Sequence, residues 1–133
     1  MASLNEVTSA VTDFFSRISG NPGPSHYEIG IRDSQDKLFV KNAEWAHNAG
    51  IYLFFKEAEL KYVGRALITT GLARRVFEQA TAFDDPKWDD VIRNPTSKVH
   101  IFALTSVESY WAPSLELFLT QRFRASLVNK RLS

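Results

Sequence analysis

Hydrophobic residues in the first part of the chain recur at intervals of three and four, which is typical of an amphipathic helix. They are Leu4, Val7, Val11, Phe14, Phe15 and Ile18. A segment rich in proline and glycine, residues 20–24, follows at once. Because proline lacks a backbone donor and glycine accepts turn geometries, this segment should end the helix. The pattern therefore predicts an N-terminal helix and then a linker.

Two compact apolar runs with a charged turn between them give the clearest strand signal in the chain. The runs are Gly50–Phe55 and Leu60–Leu67, and the turn is Lys56–Glu59. Both runs are the length of ordinary strands, and together they predict a β-hairpin. Alternation in Lys98–Leu104 predicts a third, internal strand.

A weaker alternation extends from His26 to Val40, with a turn at Asp33–Asp36. It is compatible with a hairpin or with one strand followed by a loop.

Helical spacing returns twice in the second half of the chain. A helix should begin near Leu72 with a preceding threonine as its cap, and another should run within Val107–Val128, with Pro113 at its start or at a kink. Between them, the acidic stretch Asp84–Asp90 should form a loop that leads into a short helix.

The order of these elements predicts an α/β (α+β) fold with a small, three-stranded, mainly antiparallel sheet flanked by helices. We expect residues 1–49 to form an N-terminal helical or hairpin extension, packed on a domain of residues 50–133.

Composition narrows the class of protein. The chain has 133 residues, 44% of them hydrophobic and 23% charged, which is the balance of one globular domain. Since it contains no cysteine, it has no disulfide framework, thiolate zinc site or cysteine nucleophile, as suits a reducing cytoplasm. No apolar run approaches the roughly 20 residues that span a bilayer, and the first ten residues lack signal-peptide features. We therefore expect a cytoplasmic protein without a membrane partner.

Charge adds one feature. The net charge is only +1, but the residues after Glu116 include no acid and carry four cations: Arg122, Arg124, Lys130 and Arg131. Taken alone, this basic patch favours cations that complement a helix dipole over phosphate contact.

Two tripeptides on the predicted hairpin, Gly50-Ile51-Tyr52 and Tyr62-Val63-Gly64, stand out. They are followed by Leu72-Ala73-Arg74-Arg75-Val76 and then by Leu115-Glu116. In this order the segments resemble the GIY-YIG nuclease family, and most closely the N-terminal nuclease module of the bacterial excision-repair incision subunit. The resemblance extends from Gly50 to Asn129.

The resemblance implies a metal-dependent endonuclease that hydrolyses phosphodiester bonds in DNA, as in DNA repair. Glu116 would hold one divalent cation, Mg²⁺ or Mn²⁺, because magnesium is commonly bound by one carboxylate, waters and a substrate phosphate. The phosphate would meet the planar guanidinium of Arg75, or of its neighbour Arg74. Tyr52 would act as the base or orient the attacking water, and Tyr62 would assist it by hydrogen bonding. The other residues expected to contact the substrate are Gly50, Gly64, Arg65, Arg74, Arg122 and Asn129.

One departure from the family pattern leaves alternatives open. Gln79 stands where many members have a histidine or tyrosine, and an amide cannot carry a proton. His47 is a possible substitute. The alternative is a catalytically impaired domain that binds nucleic acid or protein, and a third reading is an unrelated α/β interaction module. DNA is the expected partner, with nucleoid association inside the cell, and a homodimer or a targeting protein could supply specificity.

Other candidates have simpler explanations. We interpret His100 as a packed strand residue and His26 as a solvated one. Glu108 fits a helix N-terminus better than a second metal ligand.

Overall fold

The computed structural model describes residues 2–16, 24–105 and 109–128. The described chain contains four strands and six α-helices. The strands are β1 (Ser25–Gly30), β2 (Ala49–Lys56), β3 (Glu59–Ala66) and β4 (Lys98–Leu104). The helices are α1 (Leu4–Ser16), α2 (Ile31–Ser34), α3 (Lys37–Lys41), α4 (Leu72–Ala80), α5 (Pro86–Ile92) and α6 (Ala112–Arg122). Short 3₁₀ turns lie at Ser109–Trp111 and Arg124–Ser126.

The strands form one sheet in the order β1-β4-β2-β3, and every pairing is antiparallel. β2 lies between β3 and β4 and is buried on both faces over seven of its eight residues. It is therefore the strand on which the two hydrophobic cores of the domain meet.

Side chains of β2 alternate between these cores, because successive residues of a strand point to opposite faces of the sheet. Ile51, Leu53 and Phe55 join the core beneath α1 and α6, which we call the α1/α6 side. Tyr52 and Phe54 join the core beneath α4 and α5, which we call the α4/α5 side. The register thus assigns the paired residues of the hairpin to one side of the sheet, and a bulge between Phe54 and Phe55 leaves Lys61 without a partner on β2.

Side-chain caps fix where several helices begin. Ser3 and Glu6 form a reciprocal capping box at α1, in which the Ser3 hydroxyl accepts from the Glu6 amide and the Glu6 carboxylate accepts from the Ser3 amide. Asp36 caps α3, and Asp85 caps α5 just before Pro86.

α4 begins differently from the sequence prediction, which expected a threonine cap. Its cap position is Gly71, at φ 84°, and no side chain caps it. The first amide groups donate instead to backbone carbonyls of the segment that precedes β2, from Leu72 to Asn48 and from Ala73 to Ala46. The threonine cap is therefore wrong, although the helix itself is confirmed.

The general fold class is confirmed, and its detail needs one correction. The predicted hairpin and the internal strand Lys98–Leu104 are present as β2, β3 and β4. The sheet has four strands rather than three, because β1 pairs with β4 along its whole length.

The segment after β1 also differs from prediction. Lys37–Lys41 is helical where a second strand of a hairpin was considered. The last helix, α6, begins at Ala112 with Pro113 in its first turn, which confirms that position for the proline.

The division of the chain at residue 49 stays a prediction. Among the described residues, no helix has the length and apolar character needed to cross a membrane.

The two-residue turn of the β2–β3 hairpin offers a test of the backbone geometry. Glu57 and Ala58 have φ of 52° and 66°, the left-handed region in which side chains other than glycine are strained. We expect Ala58→Gly to stabilise the protein by about 1 kcal/mol, because glycine relieves this strain. Urea denaturation measures the difference, and a loss of stability would contradict the turn geometry.

Candidate functional site

Three of the sequence-predicted site residues meet on the α4/α5 side of the sheet. The hydroxyl of Tyr52 shares hydrogen bonds with the guanidinium of Arg75, on α4, and with the hydroxyl of Tyr62, on β3. The two phenol rings stack with their centroids 6.0 Å apart. Tyr52 is 1% exposed, whereas Arg75 is exposed. We call this group the Tyr52–Tyr62–Arg75 cluster.

Close packing holds the cluster in place. Tyr52 lies opposite Gly64 in the hairpin register, and a Cβ added to Gly64 would come within 2.3 Å of the Tyr52 ring. The Tyr62 ring lies 5.2 Å from that of Trp88, on α5, and 6.0 Å from that of Phe54. Position 64 therefore requires glycine, because the Tyr52 ring leaves no room for a Cβ there.

The environment of Tyr52 makes it a poor base. Burial raises the pKa of Tyr52 far above its ordinary value, and the neighbouring Tyr62 raises it further; Arg75 opposes both effects only in part. A phenol that keeps its proton at neutral pH cannot accept one from water. Proximity to Tyr52 in turn raises the pKa of Arg75, so the guanidinium stays charged.

Glu116, the predicted metal ligand, lies on the other side of the sheet. On α6 it is surrounded by core residues such as Leu115 and Leu119, and it is 4% exposed. Its carboxylate Oε1 accepts a hydrogen bond of 2.7 Å from Nη1 of Arg65. Arg65 lies opposite Ile51 in the register, and Ile51 belongs to the core of the α1/α6 side. The sheet therefore separates Glu116 from the Tyr52–Tyr62–Arg75 cluster.

This placement does not fit the magnesium ion that the resemblance implies. The ion would need a carboxylate that faces the substrate phosphate, together with room for water. Glu116 is instead enclosed and already engaged by a guanidinium. Among the described residues, no group of three or more histidine, aspartate or glutamate side chains is arranged to hold a metal.

The other predicted contact residues are dispersed. Gly50 is buried, and a Cβ there would lie 2.2 Å from the carbonyl oxygen of Phe102, so internal packing explains this glycine. Arg74 is exposed and paired with Glu78 along α4. Arg122 lies at the end of α6, 4.0 Å from the carboxylate of Asp13. Asn129, like Glu108, lies outside the described residues.

A cleft between α3 and α4, of about 420 Å³, was not predicted from the sequence. Its cationic lining comes from Lys37, Lys41 and Arg74, His47 also lines it, and Glu78 is the acid that lines it. The signal was available, because Asp36 is a good cap and Lys37 and Lys41 are spaced to lie on one helix face. The sequence prediction instead allowed a hairpin or one strand followed by a loop here, and no helix.

Gly64 provides a test of the packing over the cluster. We expect Gly64→Ala to destabilise the protein by about 2 kcal/mol, since the added methyl group collides with the Tyr52 ring. Gly30→Ala is the matched control, because a Cβ there has no atom within 4 Å. It should change the free energy of unfolding by less than about 0.5 kcal/mol. Equal effects in urea denaturation would contradict the placement of Tyr52.

The raised pKa of Tyr52 predicts a pH dependence. A folded-state pKa above the unfolded value of about 10 contributes stability that is complete below pH 10 and is lost as the pH rises further. Between about pH 10 and pH 11.5, the free energy of unfolding should fall more steeply for the wild type than for Tyr52→Phe. Tyr110→Phe, at a tyrosine that is 67% exposed, controls for the loss of a phenol. Parallel curves for wild type and Tyr52→Phe would contradict the burial of this hydroxyl.

Comparison of the chain with protein-family models gave no match, and neither did comparison with curated proteins or with solved structures. The similarity to GIY-YIG nucleases stays a prediction that rests on the motifs of the sequence.

Proposed function

We propose that this chain binds DNA through its phosphate backbone on the α4/α5 side, as a catalytically impaired relative of the GIY-YIG nucleases. The observation that carries the proposal is the exposed guanidinium of Arg75, which is held from beneath by the buried Tyr52. A guanidinium presents a planar fork of donors that suits a phosphate. Because Tyr52 restrains it, less conformational entropy is lost when a phosphate binds.

The α3–α4 cleft is lined by Arg74, the residue before Arg75 on α4, and it supports an extended anionic ligand. The α3–α4 cleft carries Lys37, Lys41 and His47 on the same side of the sheet. A row of such residues can contact successive phosphates without reading base sequence.

Hydrolysis is not part of this proposal, for three reasons. Glu116 is buried with Arg65 on the α1/α6 side, Tyr52 keeps its proton, and Gln79 cannot carry one. No step through a metal ion can be derived from these positions. The cluster can bind and orient a phosphate, which is what its exposed cation and neutral phenols allow.

A metal-dependent endonuclease is the second candidate function. It is favoured by the order of the four motifs along the chain and by the convergence of Tyr52, Tyr62 and Arg75 in the structure. This candidate requires Glu116 to leave Arg65 and to act at the same phosphate as Arg75.

Arg75→Ala tests the proposed binding site. We expect it to weaken binding of a fluorescein-labelled DNA duplex at least tenfold, or about 1.4 kcal/mol. The slope of log affinity against log salt should also fall by about 1, because one phosphate contact is lost. Fluorescence anisotropy over a salt series measures both quantities. Arg93→Ala is the matched control: Arg93 is an exposed arginine that stacks on Phe83 and does not line the cleft.

The outcomes separate the two functions. The expected result is that Arg75→Ala weakens DNA binding and Arg93→Ala preserves it. Supercoiled plasmid should not be nicked in Mg²⁺ or Mn²⁺. Nicking that Glu116→Gln abolishes while the variant stays folded would establish the endonuclease instead. If the wild type does not bind DNA at low salt, both functions are excluded.

A further inference from the structure

Two histidines and a glutamate lie in contact across β1 and β4, away from the Tyr52–Tyr62–Arg75 cluster. Nε2 of His26 lies 2.9 Å from Nδ1 of His100. The opposite ring nitrogen of His100, Nε2, lies 3.3 Å from the carboxylate Oε1 of Glu28. The register explains the meeting: Glu28 lies opposite His100, and His26 is its diagonal neighbour.

Both imidazole rings are held by aromatic neighbours. His26 stacks on Phe102 with a centroid distance of 4.5 Å and an interplanar angle of 13°. His100 is 4% exposed and meets the edge of the Phe55 ring. His26 and Glu28 are exposed, so an ion from solvent can reach the pair. The arrangement is therefore preformed and open on one side.

The carboxylate determines which nitrogen of His100 is available. The carboxylate Oε1 of Glu28, 3.3 Å from Nε2 of His100, favours a proton on that nitrogen, and a neutral ring protonated there has its lone pair on Nδ1, the atom that faces His26. Metal-binding histidines commonly donate their other N–H to a carboxylate in this way.

The spacing of the two nitrogens selects a coordination geometry. Metal–imidazole bonds are about 2.0–2.1 Å long, so two nitrogens 2.9 Å apart subtend about 90° at a shared ion. This angle suits the square-planar or tetragonal geometry of Cu²⁺ and Ni²⁺, whereas tetrahedral zinc needs a wider separation. Imidazole ligands and the Irving–Williams order favour Cu²⁺.

We propose that His26 and His100 form a two-histidine site for Cu²⁺, in which Glu28 orients His100 and water completes the coordination shell. On binding, Nε2 of His26 gives up its proton to solvent and Nδ1 of the same ring takes one up, so that the ring stays neutral and Nε2 of His26 and Nδ1 of His100 both present a lone pair to the ion. The site does not depend on the DNA-binding proposal, since none of its residues belongs to that surface.

The test compares variants of His26, His47 and Glu28. Isothermal titration with CuCl₂, in a buffer containing glycine as a competitor, should show one equivalent bound by the full-length protein. His26→Gln should weaken this binding at least tenfold, while His47→Gln, at an exposed histidine of the α3–α4 cleft, should not change it. Glu28→Gln should weaken it by about 10- to 100-fold, the usual effect of losing a supporting carboxylate.

The predicted geometry has its own readout. The electron paramagnetic resonance spectrum of the bound Cu²⁺ should show hyperfine coupling to two equivalent imidazole nitrogens, and His26→Gln should remove one of them. The proposal is overturned if His26→Gln binds Cu²⁺ as tightly as the wild type, or if His47→Gln is the variant that loses the ion. Because His26 is exposed, loss of folding is not expected to obscure the result, and circular dichroism of the variant checks this.

Discussion

The alternation of side chains along β2 is the constraint on which the rest of the structure depends. The strand is covered on both faces, so each of its residues belongs to one of two cores that do not mix. Register then assigns Gly64 and Tyr62 to the side of Tyr52, and Arg65 to the side of Ile51. Shifting the register by one residue would exchange these assignments and bury different side chains. The chemistry available on each surface follows from this division.

On the α4/α5 side, this division of side chains restrains the guanidinium of Arg75. Tyr52 is buried where its hydroxyl has Tyr62 and Arg75 as partners, and Gly64 leaves room for its ring. On the α1/α6 side, it pairs the buried Glu116 with Arg65, whose side chain is 32% exposed. Removing the guanidinium would leave the buried carboxylate without its opposite charge, so separating the partners is unfavourable unless Glu116 finds a replacement. The α4/α5 side is therefore suited to binding an anion, whereas the α1/α6 side holds the carboxylate of Glu116 away from that anion.

Local signals allowed much of the fold to be predicted. The hairpin, β4 and the start of α4 could be read from periodicity, because each depends on neighbours in sequence. β1 was recognised only weakly: its partner β4 lies far along the chain, and an exposed edge strand has no strong apolar alternation. In the candidate site, the sequence motifs led us to expect Tyr52, Tyr62 and Arg75 close together, and they lie close together in the structure. The position of Glu116 could not be predicted, because it depends on which side of the sheet α6 covers and on the partner that Arg65 finds there.

The central claim is that Glu116 and Arg75 act on opposite sides of the sheet. A crystal structure of the protein with a short DNA duplex and Mn²⁺, in which anomalous scattering locates the ion, tests it most directly. We expect a DNA phosphate at Arg75, with Glu116 still paired with Arg65 and no Mn²⁺ on its carboxylate. A Mn²⁺ ion bound by Glu116 and by the same phosphate that Arg75 contacts would contradict the claim and establish a nuclease site.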